Sequence, residues 1–261
     1  MSTPPNPGFR IRVDVTNPGQ FFACCGLLEL ASRLGPDAQA WFEPAHFVVS
    51  KAPSLAELMN TLREVHLIQM DTEDITASPI QVSEPFSLRL DWWKSENRAD
   101  SDLKVWAGTM ESFRIARAMQ NALRDDAFAT ENLLDIGMVA YDPDAPDNKV
   151  EPFYFDARRG PNAHSRDVGF APNDLGLTTI ASPAVELLCL IGLQRTRPVR
   201  TDQPRVFDYV AWTQALPACL AHVAVAGLLS EFSGPRYRFE SWFRTGQRKH
   251  KAFLTAKLIN P

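Results

Sequence analysis

Three apolar stretches, at Phe21–Leu28, Leu187–Leu193 and Ala218–Leu229, limit what this chain can fold into. Each is shorter than the roughly 18 apolar residues that a membrane-spanning helix requires. Because burying such stretches removes much apolar surface from water, we expect all three to form the core of a folded protein. The charged fraction of 22% is ordinary for a globular chain.

The N-terminal residues are not typical of an export signal, since Met1–Arg10 contains three prolines and no apolar segment. We therefore expect a cytoplasmic protein without a membrane partner. The four cysteines lie in apolar runs and form no C-x-x-C pair, which favours buried free thiols over a metal or redox role. We expect neither a metal nor a cofactor.

Local patterns predict several elements clearly. Alternating apolar residues over Phe9–Thr16 predict a strand, and the turn Asn17-Pro18-Gly19 leads into an apolar helix over Gln20–Leu34. The capping box Ser54-x-x-Glu57 opens an amphipathic helix. Ser182 followed by Pro183 opens a helix that runs to about Arg195.

Weaker patterns predict a helix over Gly108–Arg124 and loops over Asp142–Glu151 and Ala157–Asn173. Further strands are predicted at Phe86–Trp92, Ile136–Tyr141, Pro152–Asp156, Val206–Gln214, Cys219–Ala226, Arg236–Arg244 and Lys249–Ile259. Because strands and helices do not alternate regularly, we expect an α+β fold: a mixed, largely antiparallel sheet with packed helices and a basic C-terminal β-hairpin. Residues 1–261 should form a single protein unit, with possible sub-regions in an acidic N-terminal part, 1–157, and a basic C-terminal part, 158–261.

Charge is distributed unevenly along the chain, although the net charge is only −4. From Arg195 onward there are 11 Lys and Arg residues against 4 Asp and Glu, a net charge of +7. The preceding residues carry 16 against 27, a net charge of −11. Such asymmetry indicates that the basic part binds a polyanion such as nucleic acid.

The predicted strand at Arg236–Arg244 concentrates this positive charge on one face. Its alternation places Tyr237, Phe239 and Phe243 on the opposite, core-facing side. Alternate strand residues lie about 6.7 Å apart, a spacing suited to tracking a nucleic-acid backbone. Trp242 would stack on a base. The predicted outer face comprises Arg236, Arg238, Glu240, Trp242 and Arg244.

Two other basic groups extend the candidate surface. After the turn Thr245-Gly246-Gln247, a cationic tip comprises Arg248, Lys249, His250 and Lys251. A second basic stretch comprises Arg195, Arg197, Arg200 and Arg205. Single members of these groups have structural alternatives, because a cation complements a helix C-terminus and exposed lysines protect strand edges from aggregation.

No catalytic motif is evident, since the phosphate-binding, zinc-protease and dinucleotide-binding signatures are all absent from the sequence. The spacing of Asp142, Asp144 and Asp147 does not fit a calcium loop, and His222 lies in an apolar run typical of a core histidine. The loop at 156–167 combines Asp156 and His164 with Arg158, Arg159 and Arg166. Its possible roles are phosphate or base contact, loop-stabilising ion pairs, or metal-assisted nuclease chemistry.

Several motifs between residue 17 and about residue 200 resemble one protein family. They are Asn17-Pro18-Gly19-Gln20-Phe21-Phe22-Ala23-Cys24-Cys25-Gly26-Leu27-Leu28-Glu29-Leu30, Leu90-Asp91-Trp92-Trp93, Leu103-Lys104-Val105-Trp106-Ala107-Gly108, Pro152-Phe153-Tyr154-Phe155-Asp156-Ala157-Arg158-Arg159-Gly160, Asp167-Val168-Gly169-Phe170 and Leu193-Gln194-Arg195. On these residues the chain resembles the compact large subunit of subtype I-G (formerly I-U) CRISPR-associated Cascade complexes. The last sixty residues match only loosely.

The resemblance implies a non-catalytic subunit of an RNA-guided antiviral surveillance complex. Such a subunit recognises the short motif beside the target, termed the PAM, and helps to open the duplex, while guide RNA reads the sequence. The implied partners are the backbone and guide-RNA-processing Cascade subunits, guide RNA, double-stranded target DNA and a helicase-nuclease effector that performs the cleavage. The alternatives are an assembly scaffold without DNA contact and a metal-dependent nuclease.

Motif reading needs side chains that reach base edges, for which Asn, Gln, Lys and Arg are suited. Asn17 has an alternative role as a helix N-cap, and Lys104 as a surface charge. The residues that we expect to contact bases are Asn17, Gln20, Lys104, Arg158, Arg159 and Asn162.

Overall fold

A computed structural model describes residues 7–159, 179–232, 234–244 and 248–259. Within these ranges the α-helices are α1 (Pro18–Leu34), α2 (Leu55–Glu64), α3 (Arg98–Leu103), α4 (Ser112–Ala122), α5 (Pro183–Arg195) and α6 (Ala218–Val225). The strands are β1 (Pro7–Arg12), β2 (Gln39–Glu43), β3 (His46–Ser50), β4 (Leu67–Gln69), β5 (Ile80–Val82), β6 (Leu88–Leu90), β7 (Tyr141–Asp142), β8 (Ala145–Lys149), β9 (Val199–Arg200), β10 (Val206–Val210), β11 (Leu216–Pro217), β12 (Arg236–Phe243), β13 (Lys251–Phe253) and β14 (Lys257–Ile259).

Helices α1 and α5 form the centre of the molecule, and nearly every residue of both is buried. They cross at Gly26 and Gly192. A Cβ atom on Gly26 would overlap the carbonyl oxygen of Leu188, and one on Gly192 would overlap that of Phe22. The two apolar stretches at 21–28 and 187–193 are therefore core helices whose backbones touch, an approach that requires glycine on both sides.

Antiparallel sheets surround this helix pair, so the predicted α+β class is confirmed. One sheet has the order β1-β3-β2-β11. A second runs β9-β10-β12, with β13 and β14 both pairing along the outer edge of β12 to make the predicted C-terminal hairpin. The order β4-β5-β6 and the pair β7-β8 form two smaller sheets.

A single hydrophobic core connects these layers and extends from Ile11 to Ala256. One part is aromatic packing around α1, where Phe21 stacks on Phe42 at a ring-centroid distance of 4.8 Å and contacts Tyr209 at 4.4 Å. Another part places Trp106 against Phe153 at 4.9 Å. Residues from both predicted sub-regions therefore share one core.

The structure corrects the prediction of a loop at Asp142–Glu151. Strands β7 and β8 form a hairpin there, and ion pairs of its Asp142 and Asp144 with Arg114 and Arg117 tie it to α4. Neighbouring charges thus override the turn-forming character of the Asp- and Pro-rich sequence.

Three strand predictions are wrong. Ile136–Tyr141 contains only an isolated bridge at Met138 and the first residue of β7. Pro152–Asp156 is not a strand because Tyr154 has a left-handed backbone with φ of +75°. Cys219–Ala226 belongs to α6, as a short apolar run does not distinguish a strand from a helix. His222, predicted to be buried, is exposed on α6, and Cys219 is exposed as well.

We expect Gly192→Ala to lower the free energy of unfolding by about 3 kcal/mol, because its Cβ would meet the Phe22 carbonyl. Gly8→Ala is the matched control: Gly8 is exposed, its Cβ would lie 3.3 Å from the Val49 carbonyl oxygen, and the expected cost is below about 1 kcal/mol. Urea denaturation followed by circular dichroism measures both. Equal losses would show that α1 and α5 do not depend on backbone contact.

Candidate nucleic-acid interface

Strand β12 presents the alternating surface that its sequence predicts. Arg236, Arg238, Glu240 and Trp242 are exposed, whereas Tyr237 and Phe239 are buried. The alternation follows from the position of β12 between β10 and the β13–β14 edge, because one face of the sheet then packs on the core. The exposed residues form one continuous face of the hairpin.

Residues on neighbouring strands modify this face. Asp208 on β10 lies opposite Arg238 and accepts two hydrogen bonds from its guanidinium, at 2.7 and 2.9 Å. On the other side, exposed Lys257 of β14 is the cross-strand partner of Arg238. Among the described residues neither Arg236 nor Lys257 has an ion pair, so both carry uncompensated charge. We call Arg236, Arg238, Trp242 and Lys257 the outer hairpin face.

Trp242 is the aromatic member of the outer hairpin face, with 45% of its surface exposed. The guanidinium of Arg205 lies 5.1 Å from the centre of its ring, within the range of a cation–π interaction. Arg205 has a left-handed backbone with φ of +62° and accepts a backbone hydrogen bond from Ser241. This contact orients the ring while leaving surface for a base.

Two residues predicted to lie on the cationic surface are buried instead. The side chain of Arg244 is only 7% exposed, and its guanidinium lies 3.6 Å from the ring centre of Tyr154. Lys251 donates hydrogen bonds from Nζ to the carbonyl oxygens of Ser101 and Asp102, at 2.7 and 3.0 Å. Alternation assigns a side chain to one face of a sheet but does not reveal what covers that face, which explains both errors.

The basic stretch after α5 is largely neutralised within the chain. Arg195 pairs with Glu29 at 3.1 Å, Arg197 with Asp100 at 2.7 Å and Arg200 with Asp102 at 3.4 Å. These carboxylates lie on α1 and α3, in the acidic part of the chain. The charge asymmetry therefore reflects, in part, attraction between the two parts of one molecule.

Asn17 and Gln20 are buried and fully engaged, which confirms the N-cap alternative for Asn17. Its Oδ1 accepts from the backbone nitrogens of Gly19, Gln20 and Ala157, and its Nδ2 donates to Asp156 at 2.7 Å. The Gln20 side chain accepts from the Asp14 nitrogen and donates to the Leu134 carbonyl. In this structure neither amide is available to a base edge.

Arg158 and Arg159 make the predicted loop-stabilising contacts. The Arg158 guanidinium donates to both oxygens of Asp156 and also to Asp135, at 2.7 Å for the latter. The Arg159 Nε donates to the Ser182 hydroxyl at 3.1 Å. Burial by itself would raise the pKa of Asp156, but its hydrogen bonds and ion pair with Arg158 hold that pKa below the usual value. Asp156 is thus a structural anion.

Glu186 completes this buried network from the first turn of α5. Its carboxyl oxygens accept from the backbone nitrogens of Phe155 and Asp156, at 3.2 and 3.1 Å. Burial, with a further contribution from the negative charge of Asp156, raises the pKa of Glu186 to about 8. The strong helix-start signal at Ser182-Pro183 gives no indication of this perturbed acid.

The remaining predicted site residues differ in accessibility. Lys104 is half-buried at the C-terminus of α3, its Nζ lies 5.3 Å from the ring centre of Trp106, and burial lowers its pKa. Arg248 and Lys249 are exposed at the hairpin tip. Asn162, His164 and Arg166 lie outside the described residues.

The sequence prediction missed Lys257, although its place near the end of the second basic strand is a visible signal.

Within the described parts of the chain, no cluster of three or more His, Cys, Asp and Glu residues is arranged to hold a metal ion. Over the same parts, none of the helices combines the length and apolar character needed to cross a bilayer.

We expect Asn17→Ala to cost about 3 kcal/mol of stability, because it removes a helix cap and leaves part of the buried Asp156 carboxylate unpaired. Ser54→Ala is the matched control, since Ser54 caps α2 through one exposed hydrogen bond, and should cost about 1 kcal/mol. Chemical denaturation of the two variants measures the difference. An Asn17 variant no less stable than the Ser54 variant would contradict the structural role of this network.

Glu186 should make stability depend on pH in a defined window. Its pKa is about 8 in the folded protein against an ordinary value of 4.5, so folding favours the protonated form. The contribution of Glu186 to the free energy of unfolding is complete below about pH 4.5 and is lost as the pH rises through about 8. Urea unfolding between pH 5 and 9 should show a steeper decline for the wild type than for Glu186→Gln. Parallel curves for the two proteins would exclude titration of Glu186.

Comparisons of the chain with protein-family models, with curated proteins and with solved structures return no match. The functional proposal therefore rests on the residues of this chain.

Proposed function

We propose that this protein is a non-catalytic, cytoplasmic subunit of an RNA-guided surveillance complex and that its outer hairpin face binds nucleic-acid backbone. The observation that carries the proposal is the exposed row of Arg236, Arg238 and Lys257, which continues past the exposed Glu240 to Trp242 on a sheet whose other face is core. A rigid strand holds these side chains at fixed spacing. Surface charges that only keep a protein in solution do not need a rigid strand that fixes the distances between them.

The chemistry of this face suits a phosphate backbone better than base-specific reading. Arg236 and Lys257 supply unpaired charge, and Arg238 is partly exposed even though Asp208 accepts from its guanidinium. Phosphates attract such cations regardless of base sequence, while an aromatic ring stacks on any base. Backbone binding with stacking at Trp242 follows from this combination.

The sequence motifs supply the proposed biological setting, in which the subunit recognises a target-adjacent motif and assists duplex opening. Asn17 and Gln20 are buried, and the guanidinium of Arg158 is engaged by Asp135 and Asp156, which argues against direct base reading by these residues. Lys104, a predicted base-contacting residue, is half-buried and held over Trp106 and retains partial access. The non-catalytic role is supported at Asp156, whose carboxylate is saturated by Asn17 and Arg158.

A scaffold role is the second candidate, and exposed apolar side chains favour it. Leu220 on α6 is 40% exposed and Leu228, just beyond it, is 74% exposed. Large apolar groups in contact with water are typical of protein interfaces when they cluster. In a pure scaffold, the outer hairpin face would serve assembly instead of nucleic-acid binding.

We expect the double variant Arg236→Glu and Lys257→Glu to weaken DNA binding by at least tenfold and to flatten its salt dependence, because two phosphate contacts are lost. The complex should be purified from source cells through a tag on the full chain, and binding to labelled single-stranded and duplex DNA measured by fluorescence anisotropy. The matched control, Arg12→Glu with Lys51→Glu, reverses two exposed charges outside the hairpin.

Unchanged affinity in the hairpin variant would overturn the proposed function. A variant that no longer brings down its partners, while any remaining intact complex binds DNA normally, would instead establish the scaffold role. Equal losses of DNA affinity in the hairpin and control variants would show that affinity depends on the net charge of the protein and not on the position of these residues.

A further inference from the structure

Four cations converge where the hairpin meets the C-terminal end of α3. Lys251 donates to the last carbonyls of this helix, and Arg200 approaches Asp102 at 3.4 Å. Lys104 directly follows the helix, and Arg205 lies between the rings of Trp242 and Phe243, at 5.1 and 4.9 Å. We call Lys104, Arg200, Arg205 and Lys251 the α3 basic cluster.

Opposing negative charge is scarce around this cluster. Among the described residues, Asp102 pairs with Arg200, and Asp74 acts on Lys104 without forming an ion pair with it, so two carboxylates face four cations. Burial lowers the pKa of Lys251 to about 8, and the charges of Arg205 and Lys104 contribute to that decrease against the opposing effect of Asp102. Positive groups held this close without a matching anion repel one another.

Unused hydrogen-bonding atoms accumulate at the same place. Arg200 Nε, Arg205 Nε and Ser241 Oγ are buried donors without a hydrogen-bond partner among the described residues, and the acceptor Asp102 Oδ2 is likewise unpaired, 3.4 Å from Arg200 Nη2. A buried donor left unpaired costs about 1–3 kcal/mol. Such a cost is not expected to persist at neighbouring positions unless a bound group compensates for it.

We propose that the α3 basic cluster binds a phosphate group of the nucleic-acid backbone, with Trp242 stacking on an adjoining base. The proposal rests on the proposed function and extends it from an exposed face to a partly buried phosphate subsite. A phosphate oxygen accepts from guanidinium and ammonium groups at once, which would pair the Arg donors and relieve the repulsion. Trp242 connects the two sites, because it belongs to the outer hairpin face and carries Arg205 on its ring.

The test is the double variant Lys104→Gln and Arg205→Gln, with Arg12→Gln and Lys51→Gln as a control of equal charge change. A labelled single-stranded oligonucleotide is titrated into the complex purified through the full chain. We expect the cluster variant to lose at least tenfold in affinity and its salt slope to decrease by about 1.4, the value for two contacts on a single strand. The control should remain within about twofold of wild type.

Three additional measurements make the result independent of folding defects. Lys104→Gln alone changes a half-exposed side chain, and should lower affinity by about threefold or more with an unchanged melting temperature. Affinity of the Glu186→Gln protein, which lacks the stability change of Glu186 near pH 8, should also fall as the pH rises through about 8, because Lys251 loses its proton while the phosphodiester does not titrate. Inorganic phosphate should raise the melting temperature of the wild type and not that of the cluster variant.

The outcomes separate the two proposals. Normal binding by the cluster variants, together with loss in the Arg236 and Lys257 variant, would overturn the subsite and leave the proposed function intact. Loss in the cluster variants alone would support the subsite and overturn the outer hairpin face as the binding surface. No binding by the wild-type complex would overturn both.

Discussion

The contact between α1 and α5 is the constraint on which the rest of the structure depends. Because Gly26 and Gly192 bring two backbones together, the two helices act as one rigid unit at the centre of the core. Their N-termini then lie near the same segment, where Asn17 and Glu186 both bind the backbone at 155–157. Gly19 allows another close backbone contact, since a Cβ there would collide with the Phe155 carbonyl.

Four of the motifs singled out in the sequence contact one another in two pairs. The Asn17 motif binds the Asp156 motif through Asn17 and Gly19, and the Leu90–Trp93 motif binds the Leu193–Arg195 motif through Gln194, whose side chain accepts from the nitrogens of Asp91 and Trp92. These motifs therefore preserve a framework. Of the residues proposed to contact nucleic acid on the outer hairpin face and in the α3 basic cluster, Lys104 belongs to one of the motifs singled out in the sequence, and the others lie outside them.

Helices with strong end signals could be predicted from sequence, since Asn17, Ser54 and Pro183 act locally. The alternation of β12 was equally predictable, because burial on one face of a sheet imposes a period of two. Pairings distant in sequence could not be predicted. Asp100 and Asp102 neutralise cations about a hundred residues away, and nothing local marks Arg244 for a position above Tyr154.

A count of charged residues locates a binding surface only after the cations that form ion pairs within the chain have been subtracted. Of the eleven cations from Arg195 onward, five have a carboxylate of the described residues within 4 Å. The other six belong to the outer hairpin face, the hairpin tip and the α3 basic cluster, all of which belong to or contact β12–β14. Trp242 of the outer hairpin face and Arg205 of the α3 basic cluster contact each other where the two sites meet. A strand that crosses the face would pass this ring before reaching the cluster, so backbone tracking and phosphate capture would be successive contacts along one path.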